Sequence, residues 1–409
     1  MTHQWLDTLS RGAIFVATVI CVLGSHLARA GDEPSTQAAT AAESNAPAAA
    51  AEEPRTLATE VFQAGQLADG RLLCTHYDST FSVLDLATAE AQTWQPAWSP
   101  AQDGWDVETN GGFRWKLAVS PDGQHVALAK AVGVTHKDPE GGYPEFAVAV
   151  VLCDPTGAHA RCVALADLSD GGPPLDFTQD SARLVGPWFV PCPPTAAGFR
   201  AYAASGFVAP ADAYIDYIDT ATGAGAVQPG LPEYEFYSKA ALSDYFVYES
   251  MDEPMLSFAS FTGSGELGHY TPPKGRYWGY YEWVTGDTLL LTLDGLTQQL
   301  VRVDGSVLPR ARAGEAAPLW HCYASLPDGS CLFSDDGGMS VSYGEVDWPQ
   351  LSVSWRAPQP QLAPYAEQLG EEGWPLRINK WIPLRDGSGV VIISPGEGEV
   401  VLARLSRAE

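Results

Sequence analysis

The 409-residue sequence predicts an all-β fold, a seven-bladed β-propeller of four-stranded antiparallel blades. Three observations predict it. An Asp-Gly turn leading into an apolar strand recurs along the chain. A second turn, Asp-x-x-Thr-Gly, follows it in most units. No long amphipathic helix interrupts the series; the nearest candidate, Pro364 to Glu372, is short and runs into Gly370. The residue mix agrees: 45% hydrophobic residues supply a large core, and 40 Gly with 31 Pro suit many short strands joined by tight turns.

The first turn is seen at Asp69-Gly70, Asp122-Gly123, Asp328-Gly329 and Asp386-Gly387, each followed by an apolar run. Asp and Gly fit there because both tolerate the positive φ that tight hairpins need. Looser copies are Phe177–Val185, Leu242–Val247 and Val284–Leu291. The second turn is seen at Asp85–Thr88, Asp154–Gly157 and Asp219–Gly223, with degenerate forms at Phe261–Gly263 and Val303–Gly305. Each unit therefore reads as strand, Asp-Gly turn, strand, loop, strand, second turn, strand. Seven such units from about Leu57 onward average roughly 50 residues, the length of a propeller blade; six or eight blades also fit that spacing.

Ser120-Pro121-Asp122-Gly123, running into His125-Val-Ala-Leu128, resembles the repeat of TolB-type and WD-type-like periplasmic propellers. The resemblance implies the fold and no particular activity, since propellers host unrelated functions.

The meander separates two faces of the ring. Both short turns belong to one face. The long insertions belong to the other: 94–113 between units one and two, 131–146 and 186–212 inside units two and three, and 359–379 between units six and seven. Insertions gathered on one face of a repeat protein mark a binding face. The candidate ligand-binding residues there are Trp98, Trp105, Asp106, Glu108, Asn110, His136, Tyr143, Trp188, Arg200, Tyr202 and Trp374. Aromatics with a polar edge suit protein partners or sugar faces; the competing reading is that they pack the loops down.

The sequence departs from the known catalytic and metal-binding patterns it comes near. Asp106-x-Glu108-x-Asn110-Gly111 opens like a calcium loop, but Leu117 stands where a closing Glu is needed, so a turn capped by its own carboxylate is the favoured reading and a looser calcium site the alternative. Ser334–Val341 resembles the Asp box of sialidase-type propellers with Val341 in place of the aromatic, in one copy. Gly-x-Ser-x-Gly, HExxH and phosphate-loop motifs are absent. Glu371-Glu372 is adjacent in sequence, which says nothing of the separation a glycosidase needs. The aromatic run Arg276–Trp283 reads as blade packing, with Trp278 and Tyr280 on one side and Tyr277, Tyr281 and Trp283 on the other. No catalytic residue, metal ligand or cofactor is assigned.

The N-terminus reads as an export signal: a weakly basic start, the apolar run Gly12 to Gly24, and Ala28-Arg29-Ala30 before a cleavage point. Residues 31–55, rich in Ala, Glu, Pro and Ser, read as a disordered tether, and 56–409 as one propeller domain. An exported location, periplasmic or extracellular, follows. The mature chain keeps Cys74, Cys153, Cys162, Cys192, Cys322 and Cys331, and an even count permits disulfides with connectivity open. Turn arithmetic disfavours Cys322–Cys331: a two-residue Asp328-Gly329 loop sets Cys331 opposite Leu326, about four residues from Cys322. With 50 Asp plus Glu against 23 Lys plus Arg, the formal net charge of −27 argues against nucleic acid as a partner. No stretch after the signal is long enough to insert in a membrane. The leading expectation is a non-catalytic binding or scaffold module for an envelope or extracellular protein or glycan; the alternative is a glycan hydrolase or lyase with its site at the channel mouth.

Overall fold

A computed structural model describes residues 56–105, 108–109, 114–134, 145–166, 175–193, 195–204, 214–228, 237–249, 255–263, 265–294, 297–308, 319–325, 329–335, 342–357, 377–385, 389–396 and 399–405. Residues 1–55, read from the sequence as signal and tether, fall outside them.

Strand β1 (Thr56–Thr59) precedes a first meander of β2 (Val61–Gln66), β3 (Leu72–His76), β4 (Phe81–Leu84) and β5 (Ala91–Thr93). After β6 (Glu108–Thr109), the second meander is β7 (Lys116–Val119), β8 (Val126–Val134), β9 (Glu145–Cys153) and β10 (Arg161–Ala166). The third has β11 (Asp176–Phe177) and β12 (Arg183–Pro191), then helix α1 (Ala196–Ala204), β13 (Ile215–Asp219) and β14 (Gly225–Ala226). The fourth is β15 (Tyr237–Lys239), β16 (Tyr245–Glu249), β17 (Leu256–Ser260) and β18 (Glu266–Tyr270). The fifth is β19 (Trp278–Trp283), β20 (Thr288–Leu293), β21 (Thr297–Arg302) and β22 (Val307–Leu308). The sixth is β23 (His321–Ser325), β24 (Ser330–Ser334), β25 (Ser342–Asp347) and β26 (Ser352–Ala357). The last run is β27 (Arg377–Pro383), β28 (Gly389–Gly396) and β29 (Glu399–Leu405).

Every strand pair is antiparallel, and among the described residues the strands form five four-stranded sheets and one nine-stranded sheet. Four of the five are simple meanders. The fifth has the order β1-β29-β28-β27, so the first strand of the domain supplies the outer strand of the last sheet. That pairing was not read from the sequence, because Thr56–Thr59 carries no turn signal. The nine-stranded sheet contains the second and third meanders, joined where Ala164 and Leu165 of β10 pair with Pro191 and Val190 of β12.

First strands of neighbouring meanders lie side by side: β2 with β7, β7 with β11, β19 with β23, β23 with β27, and β27 with β2. The molecule is thus a propeller of radially packed sheets, as the sequence predicts. Blades of this kind bury both faces, and the strand sequences show it. In β8, Val126 and Leu128 enter the cluster shared with the first meander, while Ala127 and Ala129 enter the one shared with the third. In β20, Leu290 faces the sixth meander and Leu289, Leu291 and Leu293 face the fourth.

The Asp-Gly turns also hold one another. Ala68 N–H donates to Gly123 O (3.1 Å). Asp122 N–H donates to Ser181 Oγ (3.1 Å), Gln179 N–H to Asp244 Oδ1 (2.8 Å), and Ser243 Oγ to Gly286 O (2.5 Å). Between the last and first meanders, Arg385 Nη1 donates to Leu67 O (2.8 Å). Gly123 is required where it stands: its φ is +70°, and a Cβ there would run into the Leu67–Ala68 backbone. Inside the turns, aspartates accept their own backbone amides. Asp85 Oδ1 accepts Ala87 N–H at 2.8 Å and Thr88 N–H at 2.9 Å, and Asp219 Oδ1 accepts Thr222 N–H at 2.7 Å.

Two register expectations are corrected by bulges. Between Trp278 and Tyr280 the pairing of β19 shifts, so Trp278 packs with Tyr281 and Trp283 rather than with Tyr280. In β23 Cys331 lies opposite Ser325 rather than Leu326, and a bulge between Cys322 and Ala324 then sets Cys322 opposite Phe333. The two cysteines are therefore a diagonal pair, not four residues apart.

Candidate functional site

On the long-insertion side of the second and third blades, the strands outrun their blades. β7 pairs only with Val126–Ala129 of β8, but β8 continues through Val134, paired with Glu145–Ala149 of β9. Val132 and Gly133 of this extension also pair with β6. Together with the β10–β12 pairing, the extensions make a raised sheet in the order β6-β8-β9-β10-β12. The sequence favours it: Phe146–Val151 and Val126–Val134 are almost unbroken apolar runs rich in valine, which suits doubly covered strands. β12 bends to join them through a shift between Val185 and Phe189, and a Cβ on Gly186 would collide with the Phe189 ring.

Helix α1 packs against this sheet. Thr195 caps it, its Oγ1 accepting Gly198 N–H at 3.2 Å. Phe199 is 1% exposed and stacks on Trp105, with centroids 4.4 Å apart and planes at 26°. Trp98 meets Trp105 and Trp115 edge-on at 6.5 and 6.3 Å, and its Nε1–H donates to Asp103 Oδ2 at 2.7 Å. Asp103 ends a 3₁₀ turn (Pro100–Asp103) whose Gln102 Oε1 accepts Ser99 N–H. These aromatics share one buried cluster with Val132, Ala147, Ala149 and Leu165. Lys130 of β8 is buried beside them, its Nζ 5.6 Å over the Trp115 ring and 3.5 Å from Ser79 Oγ, and burial lowers its pKa.

The predicted residues divide accordingly. Trp98 and Trp105 are buried, at 8% and 2% exposure, so they fasten the linker down and do not face a ligand. Tyr202 is half-buried against the same cluster. Glu108 lies on β6, Trp188 on β12 and Arg200 on α1, and only these backbone positions are described. Asp106, Asn110, His136, Tyr143 and Trp374 lie outside the described residues. Sequence reading missed α1, Phe199, Trp115 and Lys130. The available signals were the alanine-rich Ala196–Ala204 and the i, i+3 spacing of Phe199 and Tyr202.

A second cluster spans the first strands of the fifth and sixth blades. Tyr280 stacks on His321 (5.5 Å, 12°), and His321 on Tyr323 (6.2 Å, 24°). Glu282 Oε1 lies 3.1 Å from His321 Nδ1, and its Oε2 accepts Cys322 N–H at 2.7 Å. Both Glu282 oxygens are thus engaged in joining two blades. Among the described residues, no three His, Cys, Asp or Glu side chains converge as a metal site would need.

No family model matches the chain, and no curated protein matches it. Among solved structures it is similar to the WD40 β-propeller domain of Doa1, with TM-score 0.43 and 10% identity over 87% of this chain and 97% of that one. It is also similar to the C-terminal WD40 domain of Sif2, with TM-score 0.44 and 9% identity over 87% and 99%. At these values neither likeness carries an argument. The propeller assignment rests on the strand pairing, and the TolB-type resemblance remains one of sequence motif alone.

Proposed function

We propose that this chain is an exported, seven-bladed propeller acting as a non-catalytic binding or scaffold module. It engages an envelope or extracellular protein or glycan through the face that carries the raised sheet. The observation that supports this reading is the raised sheet itself, with α1 fixed on it by the Phe199–Trp105 stack. Loops grown at random would not share one sheet and one core across two blades and the linker before them. A rigid platform lowers the ordering entropy that a partner must overcome on binding. The reading needs no cofactor.

The test is photocrosslinking of the mature protein in its native envelope extract. One probe replaces Ala201, exposed on α1; the control replaces Ala221, exposed in a second turn on the opposite face. A discrete adduct from position 201 and none from 221 is expected. Equal adducts from both, or none from 201 with the protein folded, overturns the assignment of the face. A glycan enzyme is the second reading, favoured only by the Tyr280–His321–Tyr323 stack with Glu282. Glycan turnover abolished by His321→Ala would establish it against the first.

A further inference from the structure

The six cysteines of the domain are not equivalent. Cys74 and Cys153 are buried in blade cores, and burial pushes each thiol up to about 12. Neither has a cysteine against it. The other four meet in twos. Cys162 and Cys192 pack on one core cluster and Cys322 and Cys331 lie in another; each of the first two thiols donates to a carbonyl beside it, Cys162 Sγ to Ala164 O at 3.2 Å and Cys192 Sγ to Pro193 O at 3.7 Å, and Cys322 Sγ lies 3.4 Å from Ser325 Oγ. The backbone explains both meetings. β10 pairs with β12 through Ala164 and Pro191, which brings Cys162, two residues before Ala164, next to Cys192, one residue after Pro191. The bulge between Cys322 and Ala324 pulls Cys322 one position toward Cys331 across the β23–β24 ladder.

We propose that the fold pre-pairs these four thiols as two disulfides, Cys162–Cys192 and Cys322–Cys331, and leaves Cys74 and Cys153 as thiols. Each bond forms when two thiols give up two protons and two electrons to a disulfide oxidant, whose own S–S bond is reduced to two thiols. Cys322 and Cys331 are buried, so their bond forms while the blade is still open. Cys162 and Cys192 are only partly buried, so their pair lies nearer the surface than the one in the sixth blade. Their bond ties the second blade to the segment that leads into α1, and so fixes the platform. Only the cellular setting of the oxidation rests on the export reading.

The full chain is refolded in a glutathione buffer of high oxidised fraction, denatured without reductant, alkylated and mapped by mass spectrometry. Cleavage must include the bond before Asp328, because trypsin leaves Cys322 and Cys331 in one peptide, Ala313 to Arg356. The expected products are the two linked pairs, with alkyl groups on Cys74, Cys153 and the N-terminal Cys21. Cys162→Ser should leave Cys192 alkylated and the Cys322–Cys331 link intact, which keeps the test open if a blade-six variant fails to fold. Full alkylation of all seven cysteines after oxidative refolding, or any link to Cys74 or Cys153, overturns the proposal. Protein from its native source that is fully alkylated, beside refolded protein carrying both links, supports the pairing and overturns the export reading instead.

Discussion

Phe199→Ala is the sharpest perturbation of the platform. Nine residues of α1 are too few to hold a helix alone in water, so α1 depends on docking. Phe199 is its one fully buried aromatic anchor, stacked on Trp105 and enclosed with Trp98, Val132 and Leu165. Truncating a buried Phe costs about 3–5 kcal/mol, of which the aromatic pair accounts for about 0.5–1.5. Taking about 3–4 kcal/mol as the loss, and about 1.4 kcal/mol per tenfold, opening of α1 should become roughly 10²–10³ times more frequent. A domain of this size has stability to spare, so the ring should persist. Hydrogen exchange read by mass spectrometry tests this directly. Amides of α1 and of the 3₁₀ turn at Pro100–Asp103 should lose protection by that factor, while β20, remote from the platform, keeps its own. Phe199→Leu should restore most of it. Unchanged protection of α1, or an equal loss in β20, would refute the claim that α1 is a locally docked element held by this stack.

Further outcomes follow from the turns and thiols. Arg385→Ala removes the side-chain bonds from Nη1 to Leu67 O and from Nη2 to Pro121 O. It should lower stability by roughly 1–3 kcal/mol in urea unfolding, with Arg385→Lys recovering little because one ammonium does not reproduce the fork. Gly123→Ala should destabilise by at least about 1–2 kcal/mol from its positive φ alone. A midpoint equal to the parent's would show that the turn does not abut Leu67 and Ala68. Reducing the oxidised protein removes cross-links closing loops of about 30 residues (162 to 192) and about 10 (322 to 331). Chain entropy assigns these roughly 3.7 and 2.7 kcal/mol, so the urea midpoint should fall clearly on adding dithiothreitol. Asp69, Asp78, Asp122, Asp180 and Asp219 are all held below the ordinary carboxylate value. The largest lowering influence is an Arg71 side-chain bond for Asp69 and hydroxyl bonds from Thr80, Ser120, Thr178 and Thr222 for the rest. A depressed folded pKa gives stability that is present above about pH 3.9 and lost as pH falls through the lower folded values. The thermal midpoint should therefore drop on acidification below about pH 4, and a midpoint flat from pH 6 to pH 3 would contradict it.

Much of the blade architecture was legible in the sequence because its signals are local. Asp85, Asp154 and Asp219 bond amides two to four residues away, so the turn is written into adjacent residues. The alternation of Val126 and Leu128 with Ala127 and Ala129 likewise states which neighbours a strand touches. What escaped was non-local. The pairing of Thr56–Thr59 with β29 spans the whole domain. The bulge in β19 displaces one residue, enough to move Trp278 across its strand, and in β23 a bulge together with a pairing register one residue off the two-residue turn brings Cys322 toward Cys331. The linker tryptophans read as binding residues because their burial depends on α1, a helix whose partner, Trp105, is more than ninety positions earlier in the chain.

The same division explains why the two faces of the ring differ. On the turn face, described turns present a group to the next, as Ala68 does to Gly123 and Asp122 to Ser181. A residue added there would break two contacts at once, so length and sequence stay fixed and the motif repeats. Described connections on the opposite face carry no such chain of turn-to-turn bonds. That face can lengthen β8 and β9, bend β12 and seat a helix without opening the ring. A partner-specific surface can arise only where the scaffold leaves sequence free, and here that freedom has been taken up by a second, smaller core. Its aromatics are therefore the support of a binding face, and the contacting residues are to be sought on the outer side of α1 and at the β6 edge of the raised sheet.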